Sequence, residues 1–124
     1  MSDNERRIDY QAREDGIIVL TFKAMDKQAA DEFEVIAKAA SENPRSKMRT
    51  LYDMRASDTP SRYFVAMQAK LYEGFPYPDD TKTAYVITSG DNAIWLRILR
   101  NQYRAKDKYA IFYNFDDAVA WLLE

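Results

Sequence analysis

Apolar and polar residues alternate from Arg6 to Arg13, with Ile8, Tyr10 and Ala12 on one side and Arg7, Asp9 and Gln11 on the other. That period predicts a half-buried edge strand. Asp15-Gly16 follows as a hairpin signal, and Ile17 to Phe22 is an almost unbroken apolar run, the pattern of a strand covered on both faces. From Asp26, a capping residue, to about Ser41 the period becomes helical. Ala29, Ala30, Phe33, Ile36, Ala37 and Ala40 form a mainly small-residue face that lets a helix lie close to a sheet, and Asn43-Pro44 stops it. Met48 to Met54 reads as the central strand, followed by a helix capped by Asp58 or Thr59, with Pro60 in its first turn and Phe64, Met67 and Leu71 facing inward. Gly74 to Pro78 is a break. Thr83 to Thr88 is another buried strand, ending at Ser89-Gly90-Asp91. The next helix is capped by Asp91 or Asn92 and buried through Ile94, Trp95, Ile98, Leu99 and Gln102 or Tyr103. Tyr109 to Tyr113 is the last strand, and Asp116 caps a final helix carrying Ala118, Val119, Trp121 and Leu122.

The order β-β-α-β-α-β-α-β-α predicts an α/β fold: right-handed crossovers, and a mostly parallel sheet of four to five strands with one antiparallel edge from the opening hairpin. Residues 1–5 read as a loose terminus and 6–124 as one domain. Such sheets bind ligands beyond the carboxyl ends of their strands, which directs attention to Asp53–Ser61. That stretch gathers Asp53, Arg55, Ser57, Thr59 and Ser61 between a buried strand and a helix start. Backbone N–H groups at the helix start favour an anion, and Arg55 adds a charge-assisted contact. A phosphate on Ser57 would bring nearly two negative charges beside Arg55 and Arg62. The plainer reading is that the hydroxyls and Asp58 only cap the helix, while Arg55 pairs with Asp53 or Asp58.

Composition narrows the chemistry more than it names it. The chain has 124 residues and neither cysteine nor histidine. Thiol nucleophiles, disulfides, thiolate metal sites and an imidazole base are therefore excluded. Three glycines make neither a P-loop nor a dinucleotide fingerprint. No cofactor is expected, and no nucleophile, base and stabiliser occur together in a pattern that suggests an enzyme. The net charge of −2 gives no reason to expect nucleic acid. Arg97, Arg100 and Arg104, with Lys106 and Lys108 beyond, form a basic stripe that reads as a solvated face. The polar start Met1-Ser2-Asp3-Asn4-Glu5 carries no signal-peptide pattern, and no window is apolar enough to span a membrane, so the expected location is cytoplasmic.

At the last two strands the chain resembles a known family. Tyr85-Val86-Ile87, Gly90-Asp91, Trp95, Phe112 and Phe115-Asp116-Asp117-Ala118-Val119-Ala120-Trp121-Leu122 look like the closing half of SpoIIAA-like (STAS-like) domains. Asp15-Gly16-Ile17-Ile18-Val19 and Leu51-Tyr52-Asp53 fit the same family's earlier strands. The resemblance implies a mixed sheet with four helices and a non-enzymatic role. Its members include anti-anti-sigma factors, STAS domains of anion transporters and lipid-binding domains of the Sec14 type. In anti-anti-sigma factors a serine after the central strand, in an Asp-Ser-Ser-Gly-like run, is phosphorylated by a partner kinase. Here the segment is Arg55-Ala56-Ser57-Asp58-Thr59-Pro60-Ser61, without the adjacent serine pair or the glycine.

Two further groups are candidates. Ser89, Gly90 and Asp91 should lie at the same sheet end, as a second anion-contacting loop or as a simple turn and cap. Tyr72, Phe75 and Tyr77 exceed what one small helix needs, and so are candidates for a subunit interface or an apolar groove. The expected role is a STAS-like protein-interaction module of bacterial regulation, with a protein partner, a homodimer or a small anion. The alternative is a Sec14-type carrier of a small hydrophobic ligand.

Overall fold

The computed structural model describes residues 6–43, 46–56, 61–74, 78–88, 90–103 and 108–124, with the backbone alone of Tyr72, Asp91, Trp95 and residues 99–103. Five strands, β1 (Ile8–Ala12), β2 (Ile18–Phe22), β3 (Lys47–Asp53), β4 (Asp80–Val86) and β5 (Lys108–Phe112), form one sheet in the order β1-β2-β3-β4-β5. The first pair is antiparallel and the other three are parallel. Four helices, α1 (Lys27–Glu42), α2 (Arg62–Gly74), α3 (Gly90–Tyr103) and α4 (Phe115–Leu123), complete the expected order.

Because strands β2 to β5 follow one another across the sheet, crossovers of a single hand must place their helices on a single face. The packing shows this. Ala29, Ala30 and Phe33 of α1, Phe64 of α2, and Ala93 and Leu96 of α3 share one core with Leu20, Phe22 and Tyr85 of the sheet. Among the described residues the reverse face is covered by α4, through Ala118 and Leu122 on Val19, Leu51, Ala84 and Val86. The larger core is rich in rings. Phe22 meets Phe33, Tyr52 and Phe64 at 6.1, 5.8 and 5.5 Å, in tilted and edge-on geometries that suit aromatic quadrupoles.

Several elements differ from the sequence reading. The hairpin loop has three residues: Arg13 N–H donates to Ile17 O (2.9 Å), Gly16 N–H donates to Arg13 O (3.1 Å), and Gly16 takes φ 90°. Of β1's apolar side only Ile8 is buried. Tyr10 and Ala12 are exposed, because they lie further along an edge strand that α1 meets only at its start. Strand β4 begins and ends earlier than the apolar run suggested. On α3, Ile94 and Ile98 are 58% and 60% exposed, and Asn92, Ala93 and Leu96 are buried instead. The helical period held, but α3 is rotated so that a small residue and a leucine pack beside Tyr85 and Ile87. The described side chains leave out Trp95, Leu99, Gln102 and Tyr103. Asn114, not Asp116, caps α4: its side-chain oxygen accepts from Asp117 N (3.1 Å). Asp116 and Asp117 sit in the first turn, where the helix dipole favours acids.

Candidate functional site

In the parallel register Asp53 stands beside Thr21 and Val86, and Val86 beside Phe112, so β2 to β5 end together. Met54 N–H to Val86 O (2.8 Å) and Ile87 N–H to Phe112 O (3.0 Å) extend the pairing past the last strand residues. The expected rim therefore exists. Its candidate residues do not all meet there.

Asp53 and Arg55 close on each other. Arg55 Nε donates to Asp53 Oδ1 (2.9 Å), its terminal nitrogen to Oδ2 (2.8 Å), and its backbone N–H to Oδ1 (3.2 Å). The carboxylate side chain is 11% exposed and the guanidinium side chain 43%, so the pair is an inner anion covered by an outer cation. Burial pushes the Asp53 carboxyl up. The Arg55 hydrogen bonds and charge outweigh it and hold the group below the ordinary carboxylate range. Arg55 is raised in turn, by its bond to Asp53 and, more weakly, by the charge of Asp116.

The alternation of β3 directs this pair to the α4 face. There the Arg55 guanidinium lies 5.6 Å from the centre of the Phe115 ring, and that of Arg13 lies 5.9 Å from the same ring. Arg13 is held by Asp15 (3.0 Å), whose other oxygen accepts from Ile17 N. Two arginines from distant parts of the chain thus flank one aromatic at the start of α4. Sequence reasoning missed Arg13 and Phe115 as rim residues. No local signal marks them, since only the packing of α4 over the hairpin brings them together.

Ser61 belongs to a different setting. Its hydroxyl accepts from Phe64 N (3.2 Å) and its N–H donates to Met25 O (2.9 Å), so it caps α2 and ties that helix to the segment before α1. The cap is therefore Ser61 rather than Asp58 or Thr59, because the helix starts at Arg62. Ser57 and Thr59 lie outside the described residues, as does Ser89. Gly90 is the exposed first residue of α3 and not a turn glycine; Gly16 is the glycine at positive φ among the described residues. Asp91 falls inside the first turn of α3, so it is not the residue preceding that helix. Tyr72 is described in backbone only, and Phe75 and Tyr77 lie outside the described residues. Among the described residues no group of three acidic side chains is placed to hold a metal ion.

Comparison with known proteins bears on the fold. No protein-family model and no curated protein matches the chain in sequence. Among solved structures, an anti-sigma factor antagonist from Mycobacterium paratuberculosis superposes with a TM-score of 0.63 at 14% identity, covering 94% of this chain and 93% of that one. An uncharacterized protein with a SpoIIAA-like fold from Shewanella loihica superposes with a TM-score of 0.69 at 14% identity, covering 93% and 91%. The fold is SpoIIAA-like (STAS-like), as the resemblance implied.

Proposed function

We propose that this SpoIIAA-like domain is a non-enzymatic regulatory module that binds another protein through the rim at the carboxyl ends of its parallel strands. Its likeness to an anti-sigma factor antagonist over nearly the full length of both chains supports a regulatory role. The observation that carries the reading is the Asp53–Arg55 pair. A general base needs a carboxylate free to take a proton, whereas both oxygens of Asp53 are engaged by Arg55. What faces solvent is the half-exposed guanidinium, a group suited to a carboxylate or phosphate on a partner or on the neighbouring loop. The carrier alternative gains no support from the ring packing under α2, where Phe64 lies against Phe22 and Phe33 at 5.5 and 5.6 Å.

The test is titration of the full chain against each anti-sigma factor encoded in the same genome, by isothermal titration calorimetry. One saturable complex is expected, with Kd of about 1 μM or tighter. Arg55→Ala should weaken it about tenfold or more, as loss of a charged contact does. Absence of binding heat with every one of them, from a chain shown to be folded, would overturn the reading.

A further inference from the structure

The two edges of the sheet are unlike. β1 blunts one of them with polar groups: Glu32 accepts from the N–H groups of Arg7 and Ile8, and Asp9 pairs with Lys23 at 3.5 Å. Such devices keep an edge strand from pairing with another chain. β5 forms the other edge, and among the described residues no strand lies beyond it. It reads Lys108-Tyr109-Ala110-Ile111-Phe112, and Tyr113 just past it is 63% exposed. From Tyr109 to Tyr113 the run holds no charge, proline or glycine. Phe112 O accepts from Ile87 N, so Phe112 turns its backbone toward β4, as does Ala110 two residues before. By the same alternation Ile111 presents its N–H and C=O to the outer edge.

A helix adds apolar surface at this edge. α3 crosses from β4 to β5 on the face that carries Tyr109 and Ile111. Its Ala93 and Leu96 pack there, which places Ile94 and Ile98, one turn apart, on the opposite and exposed side of the helix.

We propose that the β5 edge is a homodimer interface, in which β5 pairs antiparallel with β5 of a second copy about a two-fold axis at Ala110. The strand is complementary to itself in this register, because all five of its residues lie opposite five of the second copy. Tyr109 faces Ile111 of the second copy, an aromatic against a β-branched side chain. Lys108 faces Phe112 of the second copy, and the two lysines stand about 14 Å apart along the seam, beyond the screening length of about 8 Å. Parallel pairing in register would set them about 5 Å apart, so charge selects the antiparallel arrangement. Ala110 meets itself at the axis, where the smallest side chain of the strand lets the backbones approach. The axis runs through the sheet, so both α3 helices lie on one face, one on each side of the seam. Ile94 and Ile98 then add apolar area to an interface that five residue pairs alone would leave small. The joined sheet has ten strands, five from each copy, with the two rims at opposite ends.

The chain contains no cysteine, so a variant with one cysteine forms a disulfide only between copies. Because Ala110 turns its backbone groups toward β4, the two alanines form a pair without mutual hydrogen bonds, with Cα atoms about 4.5 Å apart and within disulfide reach. Sedimentation velocity of the full wild-type chain should show monomer giving way to dimer between about 1 and 100 μM. At the upper concentration and under mild oxidation, most of Ala110→Cys should run as a covalent dimer on a non-reducing gel. Gln11→Cys, at the exposed β1 edge, should stay mostly monomeric on the same gel. A dimer in which Ala110→Cys links no faster than Gln11→Cys would overturn the proposal. So would a wild-type chain still monomeric at about 100 μM, and the edge would then be left to a strand of another protein.

Discussion

Arg55 and Asp53 illustrate how unequal the two members of an ion pair are. Removing the cation strands a mostly buried carboxylate, whereas removing the anion leaves a guanidinium that water already reaches. Arg55→Ala should therefore destabilise the protein by about 1–3 kcal/mol in urea unfolding. Asp53→Asn should cost less, and adding it to Arg55→Ala should recover part of the loss. A double variant no more stable than Arg55→Ala would show that the guanidinium acts through its contact with Phe115 instead. Ser61 gives a second test. As an N-cap, Ser61→Ala should cost about 1 kcal/mol, while Ser61→Asp, which keeps an acceptor at that place, should hold near wild-type stability. A large loss for the aspartate variant would contradict the capping role.

Among the elements, β1 depends most visibly on one side chain from elsewhere. Glu32 of α1 accepts from Arg7 N (3.0 and 3.1 Å) and Ile8 N (3.0 Å), and is itself steadied by the Gln28 amide (3.0 Å). An edge strand otherwise has half of its backbone groups without a strand partner. Glu32→Ala should cost about 1–3 kcal/mol and should speed hydrogen exchange at Arg7 and Ile8 well beyond that at Leu51 in the sheet centre. Equal protection in variant and wild type would mean that water replaces the carboxylate without loss. The same contact explains a misread pattern. Alternation made Tyr10 and Ala12 look like core, but α1 reaches β1 only where Glu32 meets its first residues. On α3 the helical period held, but Ile94 and Ile98 face outward, because Asn92, Ala93 and Leu96 take the buried positions, Ala93 and Leu96 beside Tyr85.

Across the whole molecule, Asp15, Asp26, Asp53 and Asp80 share one electrostatic feature: each carboxyl lies below its ordinary value of 3.8, bonded to Arg13, Arg7, Arg55 and Arg49 respectively. A group whose folded value is depressed contributes stability that is fully present above its unfolded value and is lost as pH falls through the folded one. Unfolding free energy should thus be flat from neutral pH down to about 5 and fall below about 4. In Arg55→Ala the acid limb should be shallower, since Asp53 no longer favours the charged form. An unchanged limb would mean that Asp53, the most buried of these carboxylates, is not a main contributor.

The strand and helix order, the single antiparallel edge, the central place of β3 and the existence of a rim were legible in the sequence, because period-2 and period-3.6 burial and right-handed crossovers are consequences of local chain geometry. The family resemblance rested instead on residue motifs, Tyr85-Val86-Ile87 and the run Phe115 to Leu122 among them, and agreed with the fold. Among the rim candidates the sequence offered Asp53 or Asp58 as the partner of Arg55, expected the helix cap at Asp58 or Thr59 with Ser61 only one of several capping hydroxyls, and grouped them all as one site. Only the tertiary structure separated them, turning the ion pair toward α4 and the cap toward Met25. Only it brought Arg13 to Phe115. Such contacts depend on which face a helix presents and which strands become neighbours, and those choices are made by packing between residues far apart in the chain.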